Sequence, residues 1–150
     1  MFKKFLKNEK GLTLVELLAV IVILGIVAAI AVPTIGSVIQ KSKENAIKAD
    51  ALQVLSAAKT YVAENGIPTT TTGTISKDDL DKYIDKADLS NTYSVKVSSD
   101  GKVFQLTTNA ITVGKITITF NDATVSTINA DKDYGKNRTI NATGSAVTTQ

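Results

Sequence analysis

Glu16 is the first residue to weigh for chemistry. It stands five residues after Gly11, four residues inside an apolar run that reaches Val32. A charge in such a run is costly in hydrocarbon and points to function rather than packing. A cut between Gly11 and Leu12 would leave a new amine on Leu12, one helical turn from Glu16. The pair could then neutralise itself, as an i,i+4 contact within one chain, or Glu16 could meet an amine on a neighbour. The second candidate constellation is the acidic group Asp78, Asp79, Asp81, Asp85 and Asp88. Paired carboxylates can do acid–base work or hold Ca²⁺. Here Lys77, Lys82 and Lys86 are interleaved and no Ca²⁺-loop spacing is present, so a solvated helix face is the better reading.

The wider inventory is poor for catalysis. The chain has 150 residues with no Cys, no His and no Trp. That excludes disulfides, thiolate metal sites, cysteine nucleophiles and the commonest general base. No phosphate-cradling glycine loop, catalytic serine arrangement or metal cluster is evident, so neither a cofactor nor enzymatic activity is expected. The formal charge of +3 misleads. It resides in residues 1–11, where Lys3, Lys4, Lys7 and Lys10 face Glu9, and the remainder sums to zero. A nucleic-acid partner therefore has no basic stripe to bind. The leader lysines instead suit a cytoplasmic N-terminus.

Glu16 must be positioned by a helix. Leu12 to Val32 spans 21 residues. At ~1.5 Å per residue that is ~31 Å, about one bilayer core. A secretory signal with Ala29-Ile30-Ala31 as its cleavage site is one reading, but Glu16 would interrupt it. A plain single-pass anchor is another, and it gives Glu16 no purpose. Gly25 weakens the helix by about 1 kcal/mol relative to Ala. Pro33 removes the helical partner of the Ala29 carbonyl and predicts a kink. Membrane helices tolerate both residues; alternatively, residues 25–33 are a built-in weak segment.

Residues 11–16, Gly-Leu-Thr-Leu-Val-Glu, resemble the cleavage and methylation motif of type IV prepilins and pseudopilins. The short basic leader, the apolar stretch, Gly25 and Pro33 fit the same pattern, and the resemblance covers about residues 1–65. It implies that a membrane-embedded prepilin peptidase cuts between Gly11 and Leu12 and methylates the Leu12 amine. It implies that Glu16 pairs with the N-terminal amine of a neighbouring subunit during assembly. It also implies that residues 25–33 can lose helicity as a fibre stretches.

Beyond Pro33 the chain turns amphipathic. Ile47, Ala51, Val54, Leu55, Ala58, Tyr61 and Val62 share one helical face, while Lys41, Lys43, Glu44, Lys48, Asp50 and Lys59 fall mostly elsewhere. Asn65-Gly66, followed by Pro68, is a stop signal. One helix from about Leu12 to Glu64 would be ~80 Å long. Ile67 to Gly73 reads as a loop. Ser76-Lys77-Asp78-Asp79 resembles a capping box and predicts a short helix from about Lys77 to Ala87. Tyr93 to Val97 and Val103 to Thr107 alternate about an Asp100-Gly101 turn. Ile111 to Val113 is a weaker strand candidate. Lys115 to Phe120 alternates with Ile116, Ile118 and Phe120 inward, and Val125 and Ile128 suggest a short edge strand. Asp131, Lys132 and Asp133 look like a polar turn. Asp131 to Gln150 reads as a loosely held tail or surface strand. Asn137-Arg138-Thr139 and Asn141-Ala142-Thr143 match the glycosylation sequon, by chance on this reading.

The expected fold is α+β: a long N-terminal helix packed against a small antiparallel sheet of three to four strands. The expected organisation is a cleaved leader (1–11), a transmembrane and filament-core helix (12–33), an amphipathic half (34–65) and a β-rich head with a polar tail (66–150). The resemblance then implies a structural subunit of a type IV pilus-like filament, serving adhesion, twitching motility or DNA uptake. Its partners would be copies of itself, the prepilin peptidase, an assembly platform protein and ATPase, the membrane before assembly, and DNA or a host surface through the filament. The precursor would lie in the cytoplasmic membrane with its N-terminus inside, then reach the cell surface. The alternatives are a pseudopilin of a type II secretion or competence system and, outside that class, a secreted or anchored β-rich adhesin.

Overall fold

The computed structural model describes residues 6–69, 73–85 and 87–148, with side chains from Thr13 onward. Residues 1–5 of the expected leader, Thr70 to Thr72, Lys86 and the last two residues lie outside the described residues. Backbone contacts divide the chain into two compact units, Met1–Ile39 and Gln40–Gln150.

A single helix, α1 (Leu6–Asn65), contributes to both. From Leu17 to Val32 its residues are apolar on every side, and the helical backbone continues through Pro33. The Thr34 hydroxyl donates to the Ala31 carbonyl at 2.8 Å, a back-bond of the kind that bends helices.

The second unit is built on the other part of α1. The stripe predicted from spacing is the buried one: Ala51, Val54, Leu55 and Ala58 are fully buried and Ile47 nearly so. Tyr61 and Val62 are partly buried at its end. The unit's strands are β1 (Thr74–Ser76), β2 (Tyr93–Val97), β3 (Phe104–Thr108), β4 (Ile111–Val113), β5 (Ile116–Asn121), β6 (Arg138–Asn141) and β7 (Gly144–Val147), and buried side chains of β1 to β6 join the stripe in the core. The fold class is α+β, as the alternation of periods predicts. Tyr93, Val95 and Val97 point inward, as do Ile116, Ile118 and Phe120. Fully burying each such side chain stabilises by roughly 1.5–3 kcal/mol, so helix stripe and strands are one core.

The strands form two sheets, in the orders β1-β2-β3 and β4-β5-β6-β7. A bridge between Leu106 and Ala123 joins them. The first sheet is wholly antiparallel. In the second, β5 and β6 run parallel. A parallel pair needs a long crossover, and residues 122–137 supply it with a helix inside.

That helix, α3 (Val125–Ala130), corrects the expected edge strand at Val125 and Ile128. Thr124 is the reason. Its hydroxyl accepts from the Thr127 amide at 3.3 Å, and the Thr127 hydroxyl accepts from the Thr124 amide at 3.0 Å. This reciprocal cap uses Thr where Glu or Gln is usual, and the i,i+3 spacing of Val125 and Ile128 suits a helix as well as a strand. Two more expectations change. The helix at Lys77 is only one turn, α2 (Lys77–Leu80), followed by a 3-10 turn (Asp81–Tyr83). The Ser76 hydroxyl donates to the Asp79 carboxylate instead of capping the backbone. Of the two readings of residues 131–150, the strand is the one observed, as β6 and an exposed edge strand β7, but β6 lies inside its sheet with Ile140 fully buried.

Candidate functional site

The first unit presents the candidate site. Glu16 is exposed on α1, four residues from Leu12, so a mature N-terminal amine would lie ~6 Å from it along the axis. Around it every large apolar side chain from Leu14 to Ile39 is between 51% and 68% exposed. There are sixteen of these, far more surface than the few hundred Å² that soluble monomers leave bare. Covering them is worth on the order of tens of kcal/mol. A charged side chain such as Asp at the centre of a membrane helix costs about 2.5–3.5 kcal/mol on insertion scales. The apolar term wins, so Glu16 does not keep this helix out of a membrane. It adds a local cost that a cationic partner would remove.

Gly25 lies on the same surface, and a Cβ built there meets nothing within 4 Å. No neighbour in its own unit requires the glycine. What remains is helix propensity, or close approach by something outside the unit. Pro33 sits inside α1, where it cannot donate to Ala29. Gly25 and Pro33 bracket one stretch of the exposed helix, and Gly11, Leu12 and Glu16 lie at its head.

Against this geometry the sequence comparison decides the reading. The prokaryotic N-terminal methylation motif matches residues 6–32. The chain carries the type IV pilin and pseudopilin cleavage and methylation signature. The signature covers the Gly11–Leu12 bond, Glu16 and most of the exposed apolar surface. It supports a type IV pilin-like or pseudopilin protein, and it points to a structural subunit rather than an enzyme. With the apolar helix, it fits a membrane-anchored precursor later assembled into a surface filament. No solved structure matches the chain.

The second unit holds a feature that the sequence reading missed. Arg138 is buried, and so are Glu44, Asp131 and Lys48. The Arg138 Nε and Nη2 donate to the Asp131 carboxylate at 2.8–3.0 Å, and Nη1 donates to Glu44 Oε2 at 2.9 Å. Lys48 Nζ closes the group, 2.6 Å from Asp131 Oδ2 and 2.7 Å from the Asp131 carbonyl. Glu44 also accepts from the Gly135 amide and from Gln40 Nε2, both at 3.0 Å. Two positive and two negative groups are thus satisfied together, as buried charges must be. Burial by itself would raise the Asp131 carboxyl, but hydrogen bonds from Arg138 and Lys48 outweigh it and hold the group below its ordinary range. The cluster ties α1 to β6 and to the loop before it, which is why the polar C-terminal segment is a strand. Asp131 is therefore an ion-pair centre rather than part of a solvated turn, and Arg138 is not on a surface.

The acidic group at 78–88 behaves as a solvated face. Ser76 and Lys82 lower Asp79, and Lys77 and Tyr93 lower Asp81. The Tyr93 phenol is pushed up, first by burial and then by its bond to Asp81. Among the described residues, no group of three His, Cys, Asp or Glu is arranged to hold a metal ion.

Proposed function

We propose that this chain is a structural subunit of a type IV pilus-like filament that polymerises through α1. One observation carries the reading: the methylation signature coincides with a helix whose apolar surface is bare on all sides and carries one carboxylate. In this account residues 1–11 are a leader, removed by a prepilin peptidase between Gly11 and Leu12, with the Leu12 amine then methylated. Residues 12–33 first span the cytoplasmic membrane, N-terminus inside, and later line the filament core. Residues 34–65 support the head at 66–150, and the filament ends on the cell surface. A platform protein and an ATPase would supply the force of assembly.

Glu16 has a defined task in this scheme. In lipid its charge costs a few kcal/mol, and in a helix bundle the Leu12 amine of another copy offsets it. Only one axial offset brings the two together, so the pair sets register. Gly25 and Pro33 leave the intervening helix weak enough to give under tension. The test is Glu16→Ala, with fibres counted by electron microscopy and membrane protein measured by fractionation. The variant should remain in the membrane and yield few or disordered fibres. Normal fibres from it would remove Glu16 from the mechanism. The signature also serves pseudopilins; fibres confined to short stubs in the unaltered strain would favour that role.

A further inference from the structure

The formal neutrality of the chain beyond residue 11 conceals a separation of charge. Gln40 opens the second unit, and two turns of backbone gather around it and the following helical turn. Gln40 Nε2 donates to the Val113 carbonyl at 2.8 Å. A Cβ on Gly114 would stand 2.2 Å from Gln40 Oε1, so the β4–β5 turn is seated directly on α1. From the other side Tyr134 donates its hydroxyl to Asn45 Oδ1 at 2.9 Å, and its ring lies 4.7 Å from Lys41 Nζ. These contacts bring Lys41, Lys43, Lys115 and Lys136, all exposed, to the end of the unit where the chain enters, with Lys132 farther along α1 beside Ala49 and Leu52. The acidic residues of the same region are largely spent: Glu44 and Asp131 are buried on Arg138 and Lys48. Asp133 stands among them, and Asp50 and Asp88 line a groove with Lys43 and Gly114, so three carboxylates stand against five lysines. Apart from these, residues 49–130 carry seven acidic against six basic side chains.

We infer that this lysine collar rests on an anionic lipid surface while the subunit waits in the membrane. The inference depends on the proposed membrane-anchored precursor and adds to it a partner for the head. Chain connectivity carries the placement. The exposed apolar side chains run to Ile39, and Lys41 is the first charged residue after Glu16. With residues 12–33 in the ~30 Å hydrocarbon core, Lys41 stands eight positions, ~12 Å of helix, past its outer edge, on the headgroup side. Long lysine stems reach several ångströms further while their ammonium groups stay at the phosphates. A polybasic segment beside a membrane span is the arrangement that anionic headgroups attract, and the attraction is screened by salt.

The test uses the full chain in vesicles of phosphatidylcholine alone or with one third phosphatidylglycerol, read by amide hydrogen exchange. Flotation with both vesicle types checks the membrane anchor separately. At low salt the β4–β5 turn and residues 132–136 should exchange several-fold more slowly with phosphatidylglycerol, and high salt should erase the difference. The β2–β3 turn around Gly101 should not respond. Lys43→Gln, Lys115→Gln and Lys136→Gln together should abolish the effect while exchange in β2 and β3 stays unchanged. Floating protein with equal exchange in both vesicles would overturn the collar and leave the anchor standing. Protection that follows protein density instead of lipid charge would also overturn it, by showing that the collar meets the acidic face of another copy.

Discussion

Replacing Arg138 with Met should be among the most damaging single changes in the second unit. The guanidinium is fully buried and makes four charge-assisted contacts, three to Asp131 and one to Glu44. It also donates to the Lys136 carbonyl at 3.2 Å. Without it Asp131 retains Lys48, but Glu44 keeps only the Gly135 amide and Gln40 and becomes a buried carboxylate with no cation in contact. Breaking a buried pair by removing one partner costs about 3–5 kcal/mol. Against a total of about 5–15 kcal/mol for a domain, that is a large fraction. Tm should fall by about 10–25 °C. The assay is thermal unfolding of the full chain in detergent micelles, followed by near-UV circular dichroism. All four tyrosines lie in the second unit and no Trp is present, so the signal reports that unit. Lys82→Ala is the control, because its pair with Asp79 is exposed and solvent-screened pairs contribute little. Adding Glu44→Gln to Arg138→Met should recover part of the loss by removing the stranded charge. Equal Tm values for Arg138→Met and Lys82→Ala would refute the reasoning, and so would an absence of recovery in the double variant.

Acid should probe the same cluster. The Asp131 carboxyl is held below its ordinary value of 3.8 in the folded chain, so its stabilisation is complete well above that value and is lost as pH falls below it. Urea titrations at descending pH should show this acid limb, and it should be shallower in Arg138→Met. Thr124→Ala removes one half of the α3 cap and should destabilise the unit by about 1 kcal/mol, measured as a shift in urea midpoint with little change in slope.

Much of this architecture is legible in the residues. The switch from an all-apolar run to a seven-residue stripe marks where α1 gains a partner, and strict alternation marks β2, β3 and β5. The C-terminal strands are illegible for a physical reason. Thr139, Asn141 and Ser145 give no apolar alternation, and β6 is a strand because β5 and β7 pair with it on both sides and Arg138 anchors its first residue. Arginine is rarely buried, so Arg138 reads as surface unless its partners are known. A signal for them was present. Glu44 and Lys48 continue the apolar stripe backwards from Ile47 and Ala51 at helical spacing, so two opposite charges occupy core-facing positions. The cap at Thr124 was hidden because Thr substitutes for the usual Glu or Gln. The lysine collar was hidden because whole-chain charge carries no spatial information, and only the two turns seated on α1 bring those lysines together.

The signature at residues 6–32 makes one chemical demand that can be measured directly. The protein recovered from the cell surface should be analysed for intact mass and N-terminal sequence. The account predicts a chain that begins at Leu12 and carries one added methyl group on its amine. A chain that begins after Ala31 would contradict it, because Glu16 and the exposed apolar helix would then be discarded before any filament could form.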